Sequence, residues 1–152
     1  MRKFAAVAAL AVATIATPAA AQGEVRAEAR GGIVWAEGDS EGTLGAALGY
    51  DFDLGETAFA GVEVSGDKIL AEGADMVFGT TARLGVKTGD AGKLYGALGY
   101  TFENDAFYDS VVLGAGYEHK LSDSIYVGGN YRHFFSDFID YDAAYLSVGA
   151  TF

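Results

Sequence analysis

The sequence predicts an all-β fold, an eight-stranded antiparallel up-and-down transmembrane β-barrel preceded by a cleavable signal peptide. Three observations predict it. Apolar and polar residues alternate along most of the chain, which is typical of strands whose two faces meet different surroundings. One face of the strand-like segments between Val25 and Phe152 carries no Asp, Glu, Lys or Arg. The other face carries charged residues among glycines, and an apolar outside with a polar inside is what a bilayer requires of a closed sheet.

Eight strand-like segments account for most of the chain after its N-terminus. Each is close in length to the about 9–11 residues that a tilted strand needs to cross a bilayer. Because unpaired backbone groups are costly in lipid, such strands have to close into a barrel without a free edge. The predicted strands are Val25–Trp35, Thr43–Phe52, Thr57–Ser65, Val77–Lys87, Lys93–Phe102, Val111–Lys120, Ile125–Phe134 and Ala143–Phe152.

The connections between these segments alternate in length and composition. The short ones, rich in Gly, Asp and Ser, are Asp53–Glu56, Thr88–Gly92 and Leu121–Ser124. The longer, acidic ones are Ala36–Gly42, Gly66–Met76, Glu103–Ser110 and Phe135–Asp142. In bacterial membrane barrels, short turns lie on the periplasmic side and longer loops on the outer side. The pattern therefore predicts that both ends of the barrel chain lie on the periplasmic side.

A soluble barrel with an apolar lumen is the main alternative, because alternation alone does not say which face is inside. Aromatic residues on the apolar face decide against it, since they cluster at the strand ends, where the lipid headgroups would lie. Those near the predicted outer end are Trp35, Phe78, Tyr100, Phe102 and Tyr131, and those near the periplasmic end are Tyr50, Phe52, Tyr117 and Phe152. The glycine-rich polar face also suits a narrow interior better than a wetted surface.

The first 21 residues have the pattern of an export signal. Arg2 and Lys3 precede an apolar stretch, and Ala19–Ala21 supplies small residues for cleavage before Gln22. We therefore expect a signal peptide over residues 1–21 and one barrel domain over residues 22–152. The net charge of −11 and the clustering of acids argue against nucleic acid as a partner. The chain has no cysteine, so thiol chemistry and disulfides are excluded.

The signal peptide, the eight strands and an aromatic C-terminal residue together resemble small outer-membrane β-barrel proteins of the OmpA-like and opacity-porin (porin family) type. The resemblance implies export through the periplasm to the outer membrane of a Gram-negative bacterium, with outer-membrane lipid around the barrel. It also implies that the barrel-assembly machinery reads the last strand through Leu146, Val148 and Phe152. The family pattern specifies fold and location rather than an activity.

The inward face carries seven bases and four acids, and the sequence alone does not say which of them pair. The bases are Arg26, Arg30, Arg83, Lys87, Lys93, Lys120 and Arg132, and the acids are Glu28, Asp51, Glu63 and Glu118. An eight-stranded barrel is just wide enough for side chains to fill its interior. Because buried charges are costly unless they are paired, we interpret the inward charges as an ion-pair plug. Its predicted members are Arg30, Glu63, Arg83, Glu118 and Arg132. The alternative is a narrow, gated pore for small solutes.

The outer loops contain twelve acids and a single base, Lys68. The acids are Glu37, Asp39, Glu41, Asp67, Glu72, Asp75, Glu103, Asp105, Asp109, Asp137, Asp140 and Asp142. These carboxylates have three interpretations: they keep the loops solvated, they bind divalent cations, or they contact a surface ligand. Aromatic residues of these loops would either anchor a surface ligand or extend the ring of aromatic side chains at the level of the lipid headgroups. They include Phe107, Tyr108, Phe135, Phe138 and Tyr141.

Catalysis is the third functional hypothesis. His133, Ser136 and Asp137 lie together in the sequence at the outer end of the seventh strand, and these are residue types used in nucleophilic catalysis. Their spacing matches no motif of that kind. The sequence therefore predicts a monomeric, non-catalytic barrel without cofactor or metal, with a structural role in envelope integrity or a surface role through its acidic loops. A narrow channel is the second hypothesis and a lipid-modifying enzyme the third.

Overall fold

The structure, a computed structural model, describes residues 23–103, 109–137 and 139–152. The predicted signal peptide and the loop residues Asp105, Phe107, Tyr108 and Phe138 lie outside the described residues. Within the described part, eight strands follow one another: β1 Gly23–Ala36, β2 Asp39–Leu54, β3 Ala58–Ile69, β4 Met76–Thr88, β5 Gly92–Glu103, β6 Ser110–Lys120, β7 Ile125–Ser136 and β8 Tyr141–Thr151. No helix in these ranges is long and apolar enough to cross a membrane.

Each strand pairs antiparallel with its neighbours in the sequence, and β8 pairs with β1 to close the barrel. The closing seam runs from Arg26 opposite Thr151 to Trp35 opposite Asp142. Because closure leaves no strand edge unpaired, the backbone satisfies its own hydrogen bonds throughout the apolar zone. The predicted fold class, an eight-stranded antiparallel up-and-down barrel, is confirmed.

The strands extend beyond the predicted segments at the outer end. The predicted first loop is wrong: β1 and β2 are joined by Glu37 and Gly38 alone. Both have positive φ, 48° and 100°, which is the conformation of a tight hairpin turn that matches strand twist. The second predicted loop is shorter than expected because β3 continues to Ile69. The turns at the periplasmic end are short, as predicted.

The burial pattern distinguishes the two faces of the sheet. Leu48 and Leu84 on the predicted lipid face are 59% and 63% exposed, whereas Arg26 and Glu63 on the opposite face are 1% and 5% exposed. Large apolar side chains outside and charged side chains inside are the reverse of a soluble protein. The soluble barrel with an apolar lumen is therefore excluded.

Aromatic residues of the lipid face lie in contact at the barrel ends. At the outer end the rings of Trp35 and Tyr131 are 6.3 Å apart and those of Phe78 and Phe102 are 6.1 Å apart. At the periplasmic end Phe52 packs edge-on against Tyr50 at 4.6 Å. These pairs form the two girdles expected at headgroup level.

Closure depends on close approach of β1 and β8 at Gly32. A Cβ at Gly32 would collide with the Ala144 carbonyl oxygen and lie 3.0 Å from the Cα of Tyr145. We expect Gly32→Val to prevent closure and to abolish the SDS-resistant form, which migrates differently before and after boiling. Gly96→Val is the matched control, because the nearest atom to a Cβ there, the Gly114 oxygen, is 3.9 Å away. Equal SDS resistance of the two variants would contradict the tight seam.

Candidate functional site: the charged lumen

Glu63 lies at the centre of the lumen and accepts hydrogen bonds from three arginines. Alternation along β3 points it inward, and β1 and β7 place basic residues across the lumen. Arg26 Nη2 donates to Oε2 at 2.5 Å, and Arg132 Nη2 and Arg30 Nη1 donate to Oε1 at 2.8 and 3.2 Å. Charge-assisted bonds of this kind are stronger than neutral ones, so Glu63 joins two strands that do not pair with β3.

On the outer side of Glu63, Arg30 makes a two-pronged contact with Asp67. Arg30 Nε donates to Oδ1 at 2.8 Å and Nη2 donates to Oδ2 at 2.5 Å. The prediction that Asp67 belongs to an outer loop is wrong. Because β3 continues past Gly66, the alternation of its side chains carries Asp67 into the lumen, where it is buried.

On the periplasmic side, Arg83 and Glu118 form a second two-pronged pair. Arg83 Nη1 donates to Oε1 at 2.6 Å and Nη2 donates to Oε2 at 3.0 Å. Asp51 is completely buried beside this pair. It accepts a hydrogen bond from Lys93 Nζ at 2.9 Å, and its Oδ1 lies 3.3 Å from Arg83 Nε. The guanidinium of Arg83 also lies over the Tyr95 ring, 4.0 Å from its centroid.

Arg26 connects the two halves of the network. Besides Glu63, it lies 3.2 Å from Glu28, 3.6 Å from Asp51 and 3.8 Å from Glu118. Glu28 also accepts a hydrogen bond from the Tyr126 hydroxyl at 2.8 Å. A guanidinium has five N–H donors and no acceptor, which suits it to a position between several carboxylates.

The inward charges balance. The sequence pattern alone predicted an excess of bases, but the structure adds three acids. Asp67 pairs with Arg30, Asp53 pairs with Lys87 at 2.7 Å, and Glu24 pairs with both Lys93 and Lys120. Glu24 and Asp53 escaped the prediction because they lie at the strand ends, outside the predicted strands. The seven bases therefore have seven acids within ion-pair distance.

Glycine makes room for these side chains. A Cβ at Gly49 would come within 2.8 Å of Arg26 Nη2, and a Cβ at Gly61 would come within 2.9 Å of Arg83 Cγ. Larger side chains at these two positions would displace the guanidinium groups from their carboxylates. The glycine-rich inward face is thus the counterpart of the long charged side chains that fill the lumen.

Apolar side chains close the lumen on the outer side of the charges. Val112, Phe134, Ala143 and Tyr145 are buried together, with Val34 and Tyr141 packed against them. Phe134 and Tyr141 stack with their ring centroids 4.3 Å apart. At the opposite end, a cleft of about 280 Å³ lined by Glu24, Asp53, Lys87, Lys93 and Lys120 opens toward the periplasmic turns.

The structure places all five predicted network residues, Arg30, Glu63, Arg83, Glu118 and Arg132, in the lumen. It joins them through Arg26, Glu28, Asp51 and Asp67. Arg26, Glu28 and Asp51 were recognised in the sequence as inward-facing. Their central position was not, because it depends on which residues meet across the barrel.

The predicted catalytic residue types do not come together. His133 lies on the lipid face, and its Nδ1 is 2.7 Å from Oδ1 of Asp142, its register partner on β8. Tyr131 donates its hydroxyl proton to the same oxygen. Ser136 has the opposite parity on β7, so its side chain is on the other face of the sheet from His133. Among the described residues, no three His, Cys, Asp or Glu side chains form a group able to hold a metal ion.

The last strand presents Leu146, Val148 and Phe152 to the lipid side, where all three are exposed. Phe152 is 80% exposed, and its backbone N–H and C=O bond to Val25 at the start of β1. The role of these residues in barrel assembly stays a prediction.

Several solved structures share this fold. The chain superimposes on Ail, the attachment invasion locus protein of Yersinia pestis, with a TM-score of 0.65 and 14% identity, over 88% of this chain and 100% of that one. The N-terminal barrel of Pseudomonas aeruginosa OprF gives 0.63 and 16%, over 86% and 100%. The outer-membrane enzyme PagL gives 0.57 and 12%, over 82% and 97%. One Ail structure contains the heparin analogue sucrose octasulfate.

At these identities the structural likeness establishes the fold. No curated protein matches the sequence. Residues 5–152 match the family model described as the outer membrane protein beta-barrel domain, which is nearly the whole chain. The resemblance predicted from the sequence is thereby confirmed: this chain belongs to the family of outer-membrane β-barrel proteins and lies in the outer membrane of a Gram-negative bacterium.

Proposed function

We propose that this protein is a plugged, non-catalytic barrel that serves the outer membrane as a structural element and contacts other molecules through its acidic outer rim. The observation that carries the proposal is the balanced ion-pair network. Each of its charges lies within ion-pair distance of an opposite charge, and an apolar layer lies between them and the outside. A side-chain-filled lumen leaves the outer surface as the place for interaction.

The outer rim favours a positively charged partner. Its described carboxylates include Glu37, Asp39, Glu41, Glu72 and Asp75, and Lys68 is the single base predicted in these loops. Ail has been crystallised with a polyanion, whereas a polyanion would be repelled by this rim. Phe135 and Ile139 are exposed beside Asp137 and Asp140 and offer apolar contact area next to the charge. Divalent cations held at single carboxylates are the second class of partner.

A narrow channel is the second candidate, and the periplasmic cleft favours it. This cleft leads from the turns to Lys93, which contacts the buried Asp51. Solute passage from there would require the Arg83–Glu118 and Arg26–Glu63 pairs to separate and the apolar outer layer to open. Separating buried ion pairs is costly, so we expect the closed state to dominate.

We expect the wild-type protein in planar bilayers to give no resolved conductance steps, because the lumen is filled. Two variants are measured beside the wild type: Glu63→Gln weakens the ionic layer and Phe134→Ala weakens the apolar layer. Heat-dependent mobility in SDS verifies that the barrel of each variant is closed. Stable wild-type conductance steps whose ion selectivity shifts in Glu63→Gln would contradict the plug and establish the channel.

The same Glu63→Gln substitution tests the energetic role of the network. It keeps the shape of the side chain but leaves three arginines without their central anion. We expect a loss of about 3–5 kcal/mol in the free energy of unfolding, measured by urea titration in lipid vesicles. Lys87→Gln is the control, because its pair with Asp53 is partly exposed and contributes about 0–1 kcal/mol. Glu63→Gln combined with Arg132→Met restores the charge balance, so we expect partial recovery. Equal stability of Glu63→Gln and wild type would disprove the structural role.

A lipid-modifying enzyme is the third candidate, favoured by the fold shared with PagL and by the hydrogen bond that the His133 ring N–H donates to Asp142 on the lipid face. The neighbours of His133 on that face of β7 are Tyr131 and Phe135, and neither supplies a serine hydroxyl. The His133–Asp142 pair would therefore have to activate a water molecule as the nucleophile.

We expect the purified wild-type barrel to release no more fatty acid from outer-membrane lipid vesicles than His133→Ala does. Release is measured over hours with the barrel in the vesicles, and Phe135→Ala is the control for altered packing at the same rim. Fatty acid release that His133→Ala removes and Phe135→Ala retains would establish the enzyme and refute the non-catalytic role.

A further inference from the structure

A groove of about 700 Å³ runs along the lipid face of the first four strands. Its floor is made of small residues that lie side by side across the sheet, with Ala29 opposite Ala46 and Ala46 opposite Gly66. Leu48 and Phe78 stand at its sides. The groove is almost entirely apolar and open to the bilayer, so in the membrane hydrocarbon has to fill it. The surroundings thus identify the class of occupant as a lipid acyl chain.

Lys68 lies at the outer end of this groove. It is two residues beyond Gly66 on β3, on the same face, and its register partners are Leu44 and Met76. Two residues along a strand are about 7 Å, a distance that places its ammonium group above the groove at headgroup level. The side chain is exposed, and among the described residues its hydrogen-bond partner is the Ala74 carbonyl oxygen.

The charge at this position is opposite to that of the rest of the rim. The other basic residues of the barrel, four arginines and three lysines, point into the lumen or line its periplasmic mouth. Lys68 is the one lysine or arginine of the described residues that lies on the lipid face. An anionic headgroup would therefore be repelled along the acidic rim and attracted at Lys68.

We propose that Lys68 and the groove together bind one phosphate-bearing lipid of the outer leaflet. The Lys68 ammonium donates to the phosphate, and one acyl chain of the lipid lies over Ala46 and Gly66. The two parts of the site reinforce each other, because a lipid held at both ends has its chain and headgroup fixed in register with β3.

The experiment is native mass spectrometry of the folded full-length barrel released from detergent micelles. The probes are dipalmitoyl phosphatidic acid and dipalmitoylglycerol, which share their chains and differ in the phosphate. We expect one phosphatidic acid molecule to remain bound at concentrations about tenfold below those needed for the diacylglycerol, equal to about 1.4 kcal/mol. Lys68→Gln should remove that preference, and Ala46→Leu should weaken retention of both lipids by filling the floor.

Matched controls exist for both changes. Lys120→Gln removes a base at the opposite end of the barrel, and Ala115→Leu adds the same bulk to the lipid face of β6, far from the groove. Gly66→Ala is a milder groove variant, because a Cβ there makes only ordinary contacts of 3.5 Å with Met76 and Phe78. All variants are first tested for SDS resistance before boiling. The site is supported if Lys68→Gln loses the preference for phosphatidic acid and both control variants keep it.

Three results would overturn the proposal. The first is an unchanged phosphatidic acid preference in Lys68→Gln. The second is displacement of phosphatidic acid by inorganic phosphate with no effect of Ala46→Leu or Gly66→Ala, which would identify a free-phosphate site without a chain groove. The third is a dimer that Ala46→Leu dissociates, because a second copy of this chain would then occupy the groove.

Discussion

The pairing of every buried charge inside a closed ring of strands is the constraint on which this structure depends. Lipid forces the backbone to close on itself, and closure creates a lumen that is too narrow for bulk water and too polar in sequence to stay empty. The side chains meet this constraint with arginines that each contact several carboxylates, Arg26 above all. The balance of the network follows from that geometry, since an extra charge of either sign would have no partner.

Most of the pairs join strands that are not neighbours. Arg30 on β1 contacts Asp67 on β3, Arg83 on β4 contacts Glu118 on β6, and Arg132 on β7 contacts Glu63 on β3. A single hairpin therefore contains few of its own ion pairs, and the charges are neutralised only as the barrel closes. This arrangement makes the network cooperative, because the loss of one member leaves several others without a partner.

Which side chains point inward was predictable from the sequence, because the alternation of side chains along a strand stays the same even where the predicted strand ends are wrong. Glu63 and Arg132 were recognised as inward for that reason. Asp67 was misplaced because Gly66 reads as the start of a loop, whereas in the barrel it is a lipid-facing strand residue. Contacts across the lumen depend on strand tilt and register, which the sequence does not encode locally. The pairing of His133 with Asp142 likewise required the register of β7 against β8.

The charge distribution gives the molecule three electrical zones. Among the described residues, the rim carries an excess of acids, the lumen is balanced, and Lys68 is the one lysine or arginine on the lipid face. A partner in solution meets the rim, whereas a lipid meets the face, so the two kinds of contact are selected by opposite charges on the same protein. The neutral lumen contributes little to either, since its charges are paired over distances much shorter than the Debye length.

The ion pairs across the lumen also restrict how a barrel of this kind can change its number of strands. Duplicating or losing a hairpin is the simplest route from one strand number to another. Loss of β3 and β4 would remove Glu63, Asp67 and Arg83 together. Arg26 and Arg30 would lose their shortest ion pairs, and Arg132 would lose its contact with Glu63. Gain of a hairpin would move those partners out of reach. The interior thus fixes the number of strands, and a descendant with more or fewer of them would need a newly composed set of inward residues.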